Sequence, residues 1–198
     1  VGANIGFISA VAAYAEGKEG HIHGFEPSPR DYDRLKNLSV LNPEFDITCN
    51  SLALGEKEGS VNMDISNIFG WNTIVPGFMK QDARATTVVV QMMRLDEYIK
   101  SKQTEIDRIG MIKIDVEGYE FFVLKGLSGY FEAASGNRPP IFCEIAPKAN
   151  KLMGIPLSDI GQYMKQYGYH AYEMFDWQQQ IDLERLNETT DVLFLASQ

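Results

Sequence analysis

Apolar residues recur along the chain with two alternating periods, one typical of strands and the other of helices. Apolar or β-branched runs predict strands over 21–25, 46–54, 60–65, 86–92, 109–115, 141–145, 169–175 and 192–196. Apolar residues three or four positions apart predict helices between most of these runs, beginning near residues 5, 29, 95, 122 and 157. This alternation predicts an α/β fold with a mostly parallel sheet and helices on both faces.

The first two predicted helices carry further signals. The first, over 5–16, has a narrow apolar stripe at Ile5, Ile8, Ala12 and Ala15. The second has Ser28 at its N-cap position and Pro29 at its first helical position. The first helix is therefore expected to lie on the sheet, and the second is expected to begin at Pro29.

The last two predicted strands, 169–175 and 192–196, are joined by a link that is too polar and too weakly periodic for a crossover helix. We therefore expect them to pair antiparallel. If they form a hairpin at one edge, the sheet has the seven-stranded, mostly parallel, Rossmann-like arrangement of a methyltransferase, with an antiparallel C-terminal strand, rather than the six parallel strands of a dinucleotide dehydrogenase.

Composition bounds the class of protein. The 198 residues suit a single domain over 1–198 with a sizeable core. The net charge of −9 and the absence of a Lys/Arg cluster disfavour a nucleic-acid partner, so a small molecule is the expected substrate.

No apolar run reaches the roughly 20 residues that span a bilayer, and no signal peptide is visible, so we expect no membrane partner and a cytoplasmic location. Oligomeric state is left open.

The residues that most often bind metals do not form a ligand pattern. Cys49 and Cys143 are far apart, each inside an apolar run, and are expected to be reduced core residues. His21 and His23 alternate along one strand, and His170 stands alone. A histidine or cysteine metal site is therefore not expected.

The start of the chain has the character of a cofactor loop. Gly2 and Gly6 flank Asn4 directly before a helix, so the backbone can pass close to a ligand with positive φ. Glu26 follows the next strand, 26 − 6 = 20 positions on, where a carboxylate can accept hydrogen bonds from ribose hydroxyls. A tight structural turn and a helix-entry charge are the competing interpretations. Such a loop needs a strand before it, so the first strand of the sheet is expected to be missing from this sequence.

The stretch 66–84 has no sustained periodicity and is rich in glycine, proline and aromatic residues. Long irregular stretches in compact domains are usually functional or mobile. We interpret this stretch as a substrate lid, with Phe69, Trp71 and Phe78 available to stack on a sugar-like ring and Asn72 to hydrogen-bond to it. A plain surface loop or an oligomer contact is an equally weighted alternative.

Several short motifs, taken together and in this order, resemble the FkbM family of S-adenosylmethionine-dependent methyltransferases. They are Val1-Gly2-Ala3-Asn4-Ile5-Gly6, Phe25-Glu26-Pro27, Asn37, Ala53-Leu54-Gly55, Leu95-Asp96, Ile114-Asp115-Val116-Glu117-Gly118-Tyr119-Glu120, Val123-Leu124-Lys125-Gly126 and Glu144-Ile145. The matches span residues 1 to 145, and the last third of the chain has no matching motif.

The resemblance implies a class I methyltransferase fold and S-adenosyl-L-methionine as cofactor. It also implies methyl transfer, typically to a hydroxyl oxygen of a sugar, polyketide or similar metabolite. By the same resemblance, Gly2, Asn4 and Gly6 would pass under the methionine and ribose portions, Glu26 would bind the ribose hydroxyls and Ser51 would lie at the adenine edge. The family's loop usually begins with an acid just before the position of Val1, and that acid is absent here.

Carboxylates after two later strands are the candidates for chemistry. A hydroxyl acceptor must lose its proton as the new bond forms, and Asp115 or Glu117 could accept it or orient the acceptor. Base catalysis would require burial to raise the pKa of either group. Glu144 ends the next strand and is expected at the acceptor, whereas Glu120 is expected to be structural. Alternatively, the acidic cluster has no catalytic role and only supplies negative charge at a helix N-terminus, where the helix dipole favours it.

Three alternatives stay open at this point. Asp115, Glu117 and Glu144 could together hold a divalent cation through oxygen ligands, although we expect no metal. A nicotinamide-dependent oxidoreductase is disfavoured because the usual Gly-x-Gly-x-x-Gly pattern is not matched. A non-catalytic cofactor-binding module is the third alternative.

Overall fold

The computed structural model describes residues 1–17, 20–67, 71–79, 85–102, 109–133 and 138–197. The helices are α1 (Phe7–Glu16), α2 (Pro29–Leu41), α3 (Leu95–Ser101), α4 (Glu120–Lys125), α5 (Ser128–Ala133), α6 (Pro147–Leu152) and α7 (Leu157–Gln166). The strands are β1 (His21–Phe25), β2 (Asp46–Asn50), β3 (Ala53–Leu54), β4 (Gly59–Ile65), β5 (Thr86–Met93), β6 (Ile112–Ile114), β7 (Ile141–Ile145), β8 (Tyr169–Glu173) and β9 (Thr190–Ala196). A short 3-10 turn covers Leu183–Arg185. The predicted α/β fold is confirmed.

The described strands form three sheets rather than one continuous seven-stranded sheet. β1 and β2 pair in parallel, β3-β5-β4 form a mixed sheet, and β6-β7-β9-β8 form the third. β9 runs antiparallel to both β7 and β8, which confirms the predicted antiparallel C-terminal strand. The predicted seven strands in a single sheet are not found within the part of the chain that is described.

Residues at the start of the chain lie between two of these sheets. The Val1 amino group donates to the Lys113 carbonyl (2.7 Å), and the Asp115 N–H donates to the Val1 carbonyl (3.2 Å). On the other side, the Ala3 N–H donates to the Phe25 carbonyl (2.8 Å). The glycine loop, the end of β1 and the end of β6 therefore meet at one edge.

The strand predicted over 46–54 is two strands. β2 pairs with β1, but Ala53 and Leu54 pair with Met92 and Met93 of β5. Both residues are buried, because the chain crosses from one sheet to the other and places their side chains in the cores. A continuous apolar run does not reveal which sheet each half joins.

The prediction of the buried face of α1 is wrong, because the residues that are buried lie one position after Ile8 and Ala12. Ser9 and Ala13 are the buried residues, whereas Ile8 is 46% exposed. The helix is apolar on nearly all sides, so periodicity could not identify the buried face. Ser28 does take the N-cap position of α2, but its hydroxyl donates to Asp31 Oδ2 (3.2 Å) instead of capping a backbone N–H.

The main core joins the β6-β7-β9-β8 sheet to helices α3, α4, α5 and α7. Its fully buried members include Ile114, Val123, Leu124, Leu127, Phe131, Ile141, Ile145, Ile160 and Met164. Cys143 is buried there, Cys49 is partly buried, and both are free, as predicted. None of the helices within the described ranges is long and apolar enough to cross a membrane.

Only part of the predicted lid can be described. Residues 68–70, which include Phe69, and 80–84 lie outside the described ranges. Within 71–79, Thr73 exchanges two backbone hydrogen bonds with Asp64 of β4 (2.8 and 3.0 Å). Val75 is fully buried against Ala146 and Ala149. Residues 71–79 of the predicted lid are therefore anchored on both sides.

Candidate functional site

A cleft of about 220 Å³ opens where β1 and β6 end. Because the carboxyl ends of parallel strands are the usual ligand sites of α/β sheets, its position alone makes it the candidate site. Its lining residues are Val1, Gly2, Asn4, Phe25, Glu26, Pro27, Leu52, Ala53, Leu54, Met63, Asn72, Ile74, Asp115, Val116, Glu117 and Tyr119. The lining combines apolar side chains, such as Leu52, Leu54 and Met63, with the carboxylates of Glu26, Asp115 and Glu117.

The glycine loop reaches this cleft in a left-handed backbone conformation. Gly2, Asn4 and Gly6 have φ values of 73°, 50° and 92°. A Cβ added to Gly2 would lie 1.7 Å from the carbonyl oxygen of Asp115. Gly2 is therefore required both for its φ and for the close approach of the loop to the end of β6.

Glu26 is buried at the end of β1, with 5% of its surface exposed. Its Oε2 accepts the Asn4 N–H (2.8 Å), and its Oε1 accepts the Ser28 N–H (2.9 Å). Burial raises the pKa of Glu26 to about 7, and the two backbone hydrogen bonds oppose that rise. Each oxygen keeps a lone pair, so the carboxylate can still accept hydroxyl hydrogens.

Asp115 and Glu117 follow β6 and differ in environment. The Lys113 Nζ lies 2.6 Å from Asp115 Oδ2, which gives Asp115 a direct cationic partner. Burial, with the nearby Glu144, Asp115 and Glu120 carboxylates, raises the pKa of Glu117 to about 8. Glu117 can therefore exchange a proton near neutral pH.

Glu144, at the end of β7, completes an acidic cluster with these two residues. One carboxylate oxygen from each of Asp115, Glu117 and Glu144 lies within 4.8 Å of the others. Burial and the charge of Asp115 raise the pKa of Glu144 to about 7. The arrangement could share protons or hold a hard cation, and Lys113 already offsets part of its negative charge.

Glu120 is the first residue of α4 and is fully buried. Its Oε1 accepts the N–H groups of Val116 (3.1 Å) and Gly118 (2.9 Å). Burial raises the pKa of Glu120 to about 7. Its carboxylate organises the loop that carries Asp115 and Glu117.

The segment 71–79 connects two sides of the cleft. Asn72 Nδ2 donates to the buried Asp31 Oδ2 (2.7 Å), and Asn72 Oδ1 accepts the Ser66 N–H (3.1 Å). Thr73 Oγ1 donates to the Glu117 carbonyl (2.7 Å) on the other side. We call residues 72 and 73 the strap.

The predicted site residues fall into two groups. Gly2, Asn4, Glu26, Asn72, Asp115 and Glu117 line the cleft. Gly6, Ser51, Trp71 and Glu144 are described but lie outside its lining. Gly6 supports the loop from behind, because a Cβ there would lie 2.7 Å from Leu35 Cδ1. Trp71 is 54% exposed beside the strap.

Sequence reasoning missed the strap contact of Thr73 and the apolar lining residues Met63, Ile74 and Tyr119. These residues come from segments that are distant in sequence, and no local spacing marks them. A weak signal existed for Asp31, since an acid three residues after an N-cap serine is common at helix starts.

One protein family and two curated proteins match much of the chain. The family described as "Methyltransferase FkbM domain" matches residues 1–171. The hexuronic acid methyltransferase AglP of Haloferax volcanii is 25% identical over 75% of this chain and 56% of its own length. The methyltransferase sdnD of Sordaria araneosa is 29% identical over 64% of this chain and 58% of its own length. The matched part thus spans a little over half of each relative, and no solved structure matches the chain.

Proposed function

Because the chain belongs to the Methyltransferase FkbM domain family, we propose that it is an S-adenosyl-L-methionine-dependent methyltransferase that methylates a hydroxyl oxygen of a small metabolite. The observation that carries this proposal is that Glu26 and Glu117 line the same cleft. One of these carboxylates would bind the ribose hydroxyls, and the other would accept the proton that the acceptor hydroxyl loses.

We propose further that residues 1–3 occupy the place of the first strand in a class I sheet. Their hydrogen bonds to Phe25 and Lys113 give the order β2, β1, residues 1–3, β6, β7, β9, β8. In this order the only antiparallel strand of the set is β9. The β3-β5-β4 sheet then stands beside this arrangement and contributes Ala53, Leu54 and Met63 to the lining of the cleft.

The residues of the cleft fit the proposed cofactor. The two free lone pairs of the Glu26 carboxylate suit the ribose hydroxyls, and the backbone of Gly2 and Asn4 passes close enough for the methionine and ribose portions. The apolar side chains of Leu52 and Met63 in the lining suit an adenine ring, and Ser51, adjacent to Leu52, would face the edge of that ring. When bound, S-adenosyl-L-methionine supplies an electrophilic methyl group.

For the base, we propose Glu117 rather than Asp115. A carboxylate is a better base for an alcohol when its pKa approaches the working pH, and burial raises the pKa of Glu117 to about 8. Asp115 has the Lys113 ammonium at 2.6 Å, which suits it to orienting hydroxyl groups as an acceptor. Burial of the acceptor hydroxyl beside Glu117 would add a positioning effect.

We propose a sugar-like acceptor, because one relative is named as a hexuronic acid methyltransferase. Trp71 offers a half-exposed ring for stacking, and Glu144 offers a carboxylate within 4.8 Å of Glu117 for hydroxyl contacts. Among the described residues the Asn72 amide bonds to Asp31 and Ser66, and these two bonds leave one N–H and one lone pair of the amide. These three residues are the proposed acceptor contacts.

We propose that no divalent metal takes part. Lys113 pairs with Asp115, and the raised pKa values of Glu117 and Glu144 allow their negative charge to be reduced by protons near neutral pH. Methyl transfer should therefore proceed at an unchanged rate after dialysis against a chelator. A rate that collapses and returns with Mg²⁺ or Mn²⁺ would make the acidic cluster a metal site.

The decisive experiment has two stages. Calorimetric titration with S-adenosylmethionine, S-adenosylhomocysteine and NAD should show binding of the first two and none of NAD. Methyl-labelled cofactor is then incubated with hexuronic acids and matched neutral hexoses, and products are located by mass spectrometry. Label on a hydroxyl oxygen is expected. NAD binding alone would indicate the oxidoreductase, and binding without transfer to any acceptor would favour the non-catalytic module.

A further inference from the structure

Glu117 has a backbone conformation that a residue other than glycine rarely adopts. Its φ is 53°, and Gly118 beside it has a φ of 101°. Such a conformation persists only where the surroundings hold it. The contacts that do so are visible on both sides of the Asp115–Tyr119 loop.

The first contact comes from the strap. Thr73 Oγ1 accepts the Val75 N–H (3.1 Å), so the hydroxyl hydrogen is free to point at the Glu117 carbonyl oxygen, 2.7 Å away. Thr73 is buried, and its own backbone is fixed by two hydrogen bonds to Asp64. The hydroxyl is therefore a rigid donor rather than a mobile surface group.

The second contact comes from α4. Glu120 Oε1 accepts the N–H groups of both Val116 and Gly118, the two residues that flank Glu117. Two peptide groups beside Glu117 are thus held by two side chains from different elements: Glu120 holds the 115–116 group, and Glu120 and Thr73 together hold the 117–118 group. Neither Thr73 nor Glu120 lines the cleft, so neither is in a position to touch a ligand there.

We propose that Thr73 and Glu120 are positioning residues that fix the left-handed conformation of Glu117 and thereby aim its carboxylate into the acceptor side of the cleft. The inference rests on the proposed function for the role of Glu117. It assigns a catalytic consequence to two buried residues that the reaction itself does not involve.

The strap half of the inference is tested with Thr73→Val, which keeps the shape and removes the hydroxyl, and with Thr73→Ser, which keeps the hydroxyl. The readout is the titration of the Glu117 carboxyl carbon by ¹³C NMR, assigned with Glu117→Gln. The ionisable groups around Glu117 are Asp115, Glu120, Glu144 and Lys113, and all are unchanged in both variants. We expect the midpoint to fall by about one pH unit or more in Thr73→Val, because a released carboxylate is better solvated. Thr73→Ser should titrate like the wild type.

The α4 half is tested with Glu120→Gln and Glu120→Ala. Glutamine keeps an oxygen that can accept the Val116 and Gly118 N–H groups, whereas alanine leaves both without an acceptor. Amide hydrogen exchange of a peptide that covers 115–119 should quicken about tenfold in Glu120→Ala and stay near the wild-type rate in Glu120→Gln.

Steady-state kinetics, measured with the acceptor that the labelling experiment identifies, distinguish a loss of Glu117 positioning from a general loss of folded enzyme. We expect kcat to fall about 10- to 100-fold in Thr73→Val and Glu120→Ala, with KM for the cofactor within about twofold of wild type and near-normal kcat in Thr73→Ser. An unchanged Glu117 titration and unchanged kcat in Thr73→Val would overturn the proposal. If the wild type binds no S-adenosylhomocysteine, the proposed function fails, whereas the NMR and exchange results still decide whether Glu117 is held as described.

Discussion

The backbone N–H of Asn4 donates to Glu26 Oε2 over 2.8 Å, so the glycine loop and the carboxylate after β1 form one unit. The other oxygen of Glu26 accepts the Ser28 N–H at the start of α2. A single side chain therefore aligns the loop, the strand end and the helix N-terminus around the place proposed for the ribose. Changes at Glu26 should affect the cofactor more than the acceptor.

Glu26→Ala should weaken S-adenosylhomocysteine binding roughly 10- to 100-fold, because the ribose would lose hydrogen bonds to a charged acceptor. Wild-type affinity should fall as the pH drops below about 7, where Glu26 takes up a proton and loses acceptor capacity. That dependence should be absent in Glu26→Ala. Glu44→Ala, which removes an exposed acid, is the control for net charge. Calorimetry between pH 6 and 8 provides the measurement, and equal affinities for the wild type and Glu26→Ala would refute the ribose contact.

The sequence predicts some of this molecule well for a physical reason. Strand and helix periods are local properties, so the alternation of β1, α2 and β2 and the antiparallel β9 could be predicted from neighbouring residues. The carboxyl ends of parallel strands meet at one edge of a sheet, so the sequence alone predicts that Glu26, Asp115 and Glu117 lie near one another.

The remainder depends on contacts between distant segments. The buried face of α1 could not be identified, because an almost wholly apolar helix gives no preferred side. The division of 46–54 between two sheets follows from the partner strand β5, and the contact of Thr73 with Glu117 joins residues 44 positions apart. Glu120 resembles any acid in the first turn of a helix until its burial is known.

Gly2→Ala should destabilise the fold by roughly 3 kcal/mol or more, since it combines left-handed strain with a clash against backbone. Gly154→Ala is a matched control: its φ of 69° is close to the 73° of Gly2, but a Cβ there meets nothing within 4 Å. We expect the control to lose only about 1–2 kcal/mol. Urea denaturation of both variants measures the difference. Equal losses would show that the end of β6 can move away from the glycine loop at little cost.

Trp71→Ala should raise KM for a sugar-like acceptor up to roughly tenfold through the loss of stacking, while the affinity for S-adenosylhomocysteine stays constant. The expectation follows from the half-exposed ring of Trp71 next to the strap and from its position outside the cleft lining. Trp177→Ala removes an exposed tryptophan from the link between β8 and β9 and should leave both constants unchanged. If both tryptophan variants give the same KM for the acceptor, Trp71 does not contact the acceptor.

Glu120 should make the fold less stable as the pH rises. Its folded pKa is about 7 and its ordinary value is 4.5, so between these values the folded state holds more protons than the unfolded state. By linkage, the contribution of Glu120 to the free energy of unfolding is greatest below pH 4.5. It falls as the pH rises toward 7, by roughly 3 kcal/mol at most for a shift of this size.

Glu120→Gln imitates the protonated acid and has no such ionisation. The wild type should therefore lose stability relative to Glu120→Gln between pH 5 and 8 in urea denaturation at constant ionic strength. Glu26, Glu117 and Glu144, whose pKa values are also raised, and the Val1 amino group, whose pKa is lowered to about 5, are present in both proteins. The difference between the two proteins therefore reports the ionisation of Glu120 together with its effect on the pKa of Glu117. Parallel stability curves for the two proteins would mean that Glu120 ionises as readily in the folded state as in the unfolded chain.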